Sequence, residues 1–198
     1  MSTNINICVT TKPISILAIS GSLQRPSHTL ANLERMAEIA KQRGAELQIW
    51  DLYEEPLPIV DPRYHDDPTT DPSPEVRRLA ALAQEADAIV IATPVFHGSF
   101  SGATKNAIDC LDSRQFGGKP VALVSNGGER SGVQPCDQLR IVVRSLGGVA
   151  IPTQVVTIPS DFELRQGSYS IVNRTIQKRF ADMVDELLTF AVMLRQLR

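Results

Sequence analysis

Short apolar runs rich in β-branched residues alternate with segments of helical periodicity, and this alternation limits the possible folds more than any other feature of the chain. The predicted strands are residues 14–20, 45–51, 87–93, 120–125 and 151–158. The predicted helices are residues 27–43, 75–86, 101–111, 132–146 and 170–198. The strands lack polar alternation, which is typical of strands buried on both faces of a parallel sheet. The sequence therefore predicts an α/β fold, with a doubly wound five-stranded parallel sheet and helices on both faces.

Composition excludes several other classes of protein. The 198 residues are 42% hydrophobic, which suits a single domain, residues 1–198, that begins with a flexible N-terminus of residues 1–12. The formal charge of −2 indicates no basic surface for nucleic acid or an anionic membrane. No apolar run is long enough to span a bilayer, and residues 1–12 lack the pattern of a signal peptide. We therefore expect no nucleic-acid partner and no membrane partner.

The cysteines and histidines are few and scattered. Cys8, Cys110 and Cys136 are odd in number, far apart in sequence and never in CxxC spacing, so neither a disulfide framework nor a structural zinc site is expected. This pattern favours reduced thiols and a cytoplasmic location. The three histidines are equally dispersed, so neither a metal site nor a Ser-His-Asp triad is predicted.

One proline-rich segment interrupts the alternation. Six of the 13 prolines lie between residues 56 and 74, beside several aspartates. Proline removes a backbone donor, so residues 54–74 are predicted to form a long loop after the second strand. A linker between domains is excluded because only two strands and one helix precede the segment. Long loops in compact domains are usually functional or mobile, and we expect this one to flank a binding site or a partner subunit.

Ligands of open α/β sheets bind beyond the carboxyl ends of the strands, which directs attention to the loop at residues 20–29. Its hydroxyl side chains are Ser20, Ser22, Ser27 and Thr29. With the free N–H groups and dipole of the following helix they form a candidate phosphate cradle, to which Arg25 or His28 would add charge. Simple N-capping by Ser27 is the alternative. Neither GxGxxG nor the Walker lysine motif is present, so a mononucleotide phosphate fits better than a dinucleotide.

A second candidate loop, residues 93–102, follows the third strand. Pro94 and Gly98 would shape a turn whose backbone amides face the edge of a flat heterocycle, with Phe96 and His97 beside it. A tight strand-to-helix connection would by itself explain the proline and the glycine. The loop is therefore evidence for a binding site only in combination with the loops at residues 20–29 and 125–132.

The third candidate loop, residues 125–132, follows the fourth strand. Its glycines permit a close approach of the backbone to a ligand, or simply a turn with positive φ. On its own, this loop is only weak evidence for a binding site. Together the three loops are expected to form a ring of polar, glycine-containing segments at one end of the sheet.

At these loops the chain resembles the NADPH-dependent FMN reductase family of the flavodoxin-like superfamily. The matching motifs are G-S-x-x-x-x-S at residues 21–27, T-P-x-x-x-G-S-x-S-G-x-x-K-N-A-I-D at residues 93–109 and S-x-G-G at residues 125–128. The resemblance extends over about residues 14–158. It implies a flavodoxin-like fold, FMN as cofactor and NADPH or NADH as the electron donor.

The resemblance also assigns roles to individual residues. It implies that Ser22, Ser27 and Thr29 bind the FMN phosphate, with Ser20 nearby. The isoalloxazine loop would comprise Pro94, Val95, Phe96, His97, Gly98 and Ser99, and the wall beside the pyrimidine ring Ser125, Gly127 and Gly128. The family usually has Arg at the position of Gln24, so the charged phosphate contact is moved to Arg25 or missing. It often has Glu and Tyr in place of Val95 and Phe96.

The implied function is hydride transfer from NADPH to FMN, followed by reduction of free flavin or of a quinone or azo-type acceptor. No catalytic side chain is assigned, because the two cofactors supply the reactivity. A flavodoxin-like electron carrier without enzymatic activity is the alternative, although such carriers are usually more acidic than a charge of −2. A phosphate-ligand sensor is a third possibility. The family also implies a homodimer or homotetramer.

Overall fold

Parallel strands lie side by side at the centre of the molecule in the computed structural model, which describes residues 12–128 and 132–197. The strands are β1 (Ser15–Ser20), β2 (Glu46–Asp51), β3 (Ala88–Phe96), β4 (Ser99–Phe100), β5 (Pro120–Asn126), β6 (Val149–Thr157), β7 (Phe162–Arg165) and β8 (Ser168–Ile171). Within this part of the chain, five strands form a parallel sheet in the order β2–β1–β3–β5–β6. The predicted doubly wound five-stranded sheet is thereby confirmed.

Helices cover both faces of the sheet, as predicted. They are α1 (His28–Gln42), α2 (Pro74–Glu85), α3 (Gly102–Asp109), α4 (Ser113–Phe116), α5 (Val133–Ser145) and α6 (Arg174–Arg195). Apolar side chains of α1 and α6 pack in one core cluster, and those of α2, α3 and α5 pack in a second. None of the described helices is long and apolar enough to cross a membrane.

Polar caps define where several helices begin. The side chains of Ser27, Ser73, Ser101 and Asn173 accept backbone N–H bonds in the first turns of α1, α2, α3 and α6. Such caps satisfy donors that a helix start otherwise leaves unpaired. Because α6 begins after Asn173, the predicted helical start at residue 170 is wrong.

The segment between β6 and α6 contains a β-hairpin that the sequence did not predict. Strands β7 and β8 pair antiparallel, with Phe162 opposite Ile171 and Leu164 opposite Tyr169. In β8, Tyr169 and Ile171 are less exposed than Ser168 and Ser170, with which they alternate. This period of two is too short to be recognised beside the long helical pattern that follows it.

The proline-rich segment has no α-helix or β-strand between residues 54 and 73, all of which the structure describes. Asp61 and Asp67 cap two 3-10 turns, Pro62–Tyr64 and Pro68–Thr70. Asn106 of α3 fastens the segment, because its Nδ2 donates to the carbonyl of Pro58 at 2.8 Å and its Oδ1 accepts from the amide of Val60 at 3.0 Å. Residues 1–11, with Cys8 and most of the predicted N-terminal segment, lie outside the described residues, as does Arg198.

Candidate functional site

The carboxyl ends of the central strands meet at one edge of the sheet. Ser20 at the end of β1 is in register with Asp51 of β2 and with Ala92 of β3, and Thr93 is in register with Ser125 of β5. The chain passes from β1 outward to β2 and then returns across β1 to β3. The strand order therefore reverses between β1 and β3, where open α/β sheets bind ligands.

The loop after β1 brings buried hydroxyl groups to the start of α1. Ser22, Ser27 and Thr29 are all at least nine-tenths buried. Ser27 Oγ accepts from the amide of Leu30 at 3.1 Å, so the N-capping interpretation of this residue is confirmed. Ser20 Oγ is buried with no hydrogen-bond partner among residues 12–128 and 132–197. A buried hydroxyl without a partner is costly, and a polar ligand that reached this hydroxyl would remove that cost.

The two side chains expected to add positive charge to this loop have partners elsewhere. The guanidinium of Arg25 pairs with the carboxylate of Asp51, lies 3.6 Å from Glu54 and sits 4.3 Å from the centre of the Tyr53 ring. These carboxylates neutralise much of the field that Arg25 would otherwise present. An anion held by this loop would therefore depend chiefly on hydroxyl groups, backbone amides and the dipole of α1.

His28 lies between α1 and the hairpin formed by β7 and β8. Its imidazole stacks on the ring of Tyr169, with 3.8 Å between ring centres, and lies 4.6 Å from the ring of Phe162. Burial lowers the pKa of His28 below its ordinary value. The residue therefore joins the hairpin to the first turn of α1 as a neutral aromatic group at pH 7.

The stability of this contact is expected to depend on pH. The folded state disfavours protonated His28. The contribution of the His28 contact to the free energy of unfolding is therefore complete above about pH 6.5 and declines as the pH falls through the lowered pKa. His28→Phe keeps an aromatic ring and removes the titration. Urea unfolding at pH 7.5 and 5.5 should show a smaller loss of stability in this variant than in the wild type. The control is His65→Phe at an exposed histidine, and equal losses in all three proteins would contradict the prediction.

The loop after β3 is a β-hairpin rather than a simple strand-to-helix connection. Strand β3 continues past the predicted end at Thr93, and Phe96 pairs with Ser99 of β4. His97 and Gly98 form the turn with φ values of 51° and 74°, as two-residue hairpins require. The side chain of Gln138 in α5 supports this turn, donating to the carbonyl of Gly98 at 3.2 Å and accepting from Ser99 Oγ at 2.6 Å.

The hairpin presents a partly open surface at the edge of the sheet. Pro94, Val95, Gly98 and Ser99 are half-buried, whereas Phe96 and His97 are exposed. Backbone groups at a hairpin turn can bond the edge of a planar ligand while an exposed aromatic ring lies against it. The arrangement is compatible with the ring-binding role that the sequence predicts for residues 94–99.

The loop after β5 lies against the hairpin. Ser125 is fully buried and its Oγ donates to the carbonyl of Gly132, while the amide of Gly127 donates to the carbonyl of Thr157 at 3.1 Å. A Cβ built on Gly127 would overlap Val95 Cγ2, so the two loops are in close contact. Gly128 is exposed, and residues 129–131 of this predicted loop lie outside the described residues.

A buried polar cluster next to these loops was not identified from the sequence. The Nδ2 atoms of Asn32 in α1 and Asn126 in β5 both lie within 3.0 Å of Thr157 Oγ1 in β6. Asn32 is fully buried, and its Oδ1 has no partner in the described part of the chain. An asparagine inside the apolar face of a predicted helix is the signal that would have found it.

Nucleophilic or metal chemistry has no evident support in the described residues. Burial raises the pKa of Cys110 and of Cys136 to about 11, so both remain thiols at neutral pH. Across residues 12–128 and 132–197, no group of three or more His, Cys, Asp and Glu side chains could hold a metal ion. The polar groups that the described residues place at this edge of the sheet are mainly hydroxyl groups and backbone amides.

Known proteins resemble this chain in sequence and in fold. A family model described as NADPH-dependent FMN reductase matches residues 14–163. The FMN-dependent NADPH-azoreductase of Staphylococcus aureus strain COL is 38% identical over 175 residues, which cover 88% of this chain and 93% of that protein.

Solved structures with the same architecture include oxidoreductases and a flavodoxin. An oxidoreductase from Corynebacterium diphtheriae has a TM-score of 0.69 at 24% identity and covers 91% of this chain and 98% of its own. The flavoenzyme NAD(P)H:(acceptor) oxidoreductase from Paracoccus denitrificans has a TM-score of 0.71 at 21% identity, with coverages of 92% and 97%. A flavodoxin from Streptococcus pneumonia TIGR4 has a TM-score of 0.58 at 14% identity, with coverages of 90% and 99%. These likenesses confirm the predicted flavodoxin-like fold.

Proposed function

The chain belongs to the NADPH-dependent FMN reductase family, as its loop motifs predict, and we propose that it transfers electrons from NADPH through FMN to an azo or quinone acceptor. It is an NAD(P)H-dependent FMN reductase, and the matched residues 14–163 contain all three candidate loops. The observation that carries the proposal is the convergence of these loops at the point where the strand order reverses. The 38% identity to an FMN-dependent NADPH-azoreductase favours azo compounds among the acceptors.

The residues of the first loop fit the phosphate of FMN. A dianionic phosphate is stabilised by the free N–H groups at a helix start and by hydroxyl donors. The start of α1 offers both, with Ser22, Ser27 and Thr29 buried in or next to the loop that leads to it. Ser20 Oγ, which has no partner among the described residues, lies at the end of β1, where this loop begins. Arg25, already paired with Asp51, supplies little additional charge.

The hairpin and the third loop fit the flavin ring. Val95 and Gly127 bring the two segments into contact, so their backbones can border one planar ligand from adjacent sides. Phe96 is 59% exposed at the hairpin and would lie beside the ring or its substrate. We infer that residues 94–99, Ser125, Gly127 and Gly128 position the ring while leaving one face accessible.

FMN bound at these loops supplies the hydride acceptor for NADPH and the donor of two electrons to the second substrate. The chain's own contribution is to hold the phosphate, border the ring and admit NADPH and the acceptor in turn to the open face. Proximity and orientation of the two reactants account for most of the catalysis expected from the protein. No catalytic side chain is assigned.

Flavin-dependent oxidation of NADPH by the purified protein is the direct test. We expect absorbance at 340 nm to fall only when FMN is present, and an azo dye or quinone to be reduced in step. NADH in place of NADPH measures the preference between the two donors. Absence of oxidation with FMN and every acceptor class would exclude the proposal.

The flavodoxin of Streptococcus pneumonia shares the fold, so an electron carrier is the alternative from a different class. A carrier would bind FMN but would not be reduced by NADPH without a separate reductase. Anaerobic mixing of the FMN-loaded protein with NADPH distinguishes the two functions. Rapid bleaching of the flavin absorbance supports the reductase, and an unchanged spectrum supports the carrier.

Ser27→Ala should weaken FMN binding by about 1–3 kcal/mol, because the charged phosphate would lose the hydrogen bond that the Ser27 hydroxyl is proposed to donate. Riboflavin, which has no phosphate, should bind the variant and the wild type equally well. Ser73→Ala removes the corresponding cap of α2 outside the three loops and serves as the control. Fluorescence titration measures all six affinities. An unchanged FMN affinity would remove Ser27 from the phosphate site.

We further propose that the protein is one cytoplasmic flavin-binding domain that assembles as a homodimer or homotetramer. Apolar side chains on the hairpin and α5, including Phe96, Val133 and Ile141, are 45–61% exposed and would be covered in a subunit interface. The scattered cysteines suit a reducing compartment. Light scattering of the purified protein would contradict the assembly if the mass were that of a single chain.

A further inference from the structure

A buried cluster of hydroxyl groups joins the first loop to the hairpin beneath the proposed flavin site. Ser101, at the start of α3, donates from its Oγ to the carbonyl of Gly21 at 2.8 Å. Its backbone amide donates to Thr93 Oγ1 at 3.0 Å, and Thr104 Oγ1 lies within 3.0 Å of the hydroxyl oxygens of both Ser101 and Thr93. Thr93 and Thr104 are fully inaccessible, and Ser101 is 2% exposed.

Two of the three hydroxyl protons have acceptors outside the cluster. Ser101 donates to Gly21, and Thr93 donates to the carbonyl of Pro94 at 3.0 Å. The proton of Thr104 is therefore the one available for the contacts among the three hydroxyls. Since every donor is used and the cluster is closed to water, removal of one hydroxyl leaves a buried partner unsatisfied.

The cluster connects the two loops that the proposed function assigns to opposite ends of one ligand. Gly21 belongs to the phosphate loop, whereas Thr93 and Ser101 flank the hairpin on either side. The backbone of Gly21 is also held from β3, because its amide donates to the carbonyl of Ala92 at 2.8 Å. The phosphate loop thus has fixed contacts to both ends of the hairpin segment.

We propose that Ser101, supported by Thr93 and Thr104, is a positioning residue that fixes the distance between the phosphate loop and the flavin-ring loop. This role rests on the proposed function. A ligand that contacts both loops binds tightly only when the distance between the loops matches the length of the ligand. At that distance, the second contact adds affinity without a second entropic cost of association. A ligand that occupies only the ring loop is indifferent to that separation.

Ser101→Ala tests the role by comparing FMN with riboflavin, which lacks the phosphate. We expect the FMN dissociation constant to rise roughly tenfold or more, as loss of one buried hydrogen bond allows, and that of riboflavin to change by less than about threefold. Ser73→Ala, which removes a helix cap of the same kind from α2, should change neither constant. Ser101→Thr retains the hydroxyl and should restore FMN affinity.

Thr104→Val provides an independent test, because it retains the shape of the side chain and removes the hydroxyl that joins Ser101 to Thr93. It should raise the ratio of the FMN to the riboflavin dissociation constant in the same direction, even if Ser101→Ala does not fold. Equal losses of FMN and riboflavin affinity in both variants would identify a merely structural cluster and overturn the role. Failure of the wild type to bind FMN would instead refute the proposed function.

Discussion

Gly21→Ala is expected to lower the free energy of unfolding by about 3 kcal/mol, at the upper end of the range for overpacked cores. A Cβ at this position would overlap Thr104 Oγ1 and lie 3.1 Å from the carbonyl oxygen of Ala92. Neither neighbour moves easily, because Thr104 is fully buried and hydrogen-bonded and Ala92 belongs to the central strand β3. The φ of Gly21 lies outside the left-handed region, so the cost is steric.

The same substitution should also abolish measurable FMN binding, because the phosphate loop would have to leave its contacts with α3. Urea unfolding and flavin fluorescence measure the two effects separately. Gly102→Ala is the matched control, since a Cβ at that position meets nothing within 4 Å and alanine favours a helix. This control should leave stability unchanged or raise it by up to about 1 kcal/mol.

A second substitution identifies the source of the strain. Thr104→Ala removes the overlapping oxygen, so the double variant Gly21→Ala/Thr104→Ala should be more stable than the sum of the two single losses indicates. Residues in direct contact typically show coupling of about 0.5–3 kcal/mol in such cycles. Strict additivity would show that Gly21 and Thr104 do not contact one another as described, and the argument for Ser101 would lose its support.

The fold was predictable because the strands are marked by local sequence. Buried parallel strands need apolar residues on both faces, and the runs beginning near Ile14, Ala88 and Pro120 satisfy this requirement over most of their length. Ser27 and Ser101, which cap α1 and α3, stand at the predicted starts of those helices, whereas the cap of α6 at Asn173 was not recognised. The hairpin of β7 and β8 was missed because its four-residue strands offer too few positions for a period of two to be distinguished.

The candidate loops were also visible in the sequence, but the partners of individual side chains were not. The sequence offered Arg25 or His28 as a source of charge for a phosphate, and the structure pairs the Arg25 guanidinium with Asp51, 26 residues away. His28 likewise stacks on Tyr169 from the other end of the chain. Such contacts depend on how distant segments pack, and local propensity carries no information about them. The same holds for Ser101, which from sequence is only a helix cap.

Asn32 illustrates a signal that was present but unused. The residue interrupts the apolar positions of α1, and an uncharged polar group there requires a buried partner. The structure supplies that partner as Thr157 at the end of β6, 125 residues further along the chain. A polar residue within a core-facing stripe therefore marked one side of the site, although its counterpart could not be named.

Gly127→Ala is expected to weaken FMN binding by about tenfold or more with a smaller loss of stability than Gly21→Ala. A Cβ on Gly127 would overlap Val95 Cγ2 and lie 2.7 Å from Val95 Cβ. Val95 is half-buried in β3, so it can move, but its movement separates the hairpin from the third loop. Those are the segments that we propose to border the flavin ring, and riboflavin should therefore lose as much affinity as FMN.

The equal loss for the two flavins is the result that distinguishes this position from Ser27 and Ser101, whose variants should spare riboflavin. Gly128→Ala is the matched control, because a Cβ there meets nothing within 4 Å, and it should bind both flavins as the wild type does. Val95→Ala introduced with Gly127→Ala removes the overlap with Cγ2 but keeps the 2.7 Å contact with Cβ, so it should recover part of the affinity. If Gly127→Ala bound both flavins normally, the third loop would not border the ring, and the proposed ring site would be confined to the hairpin.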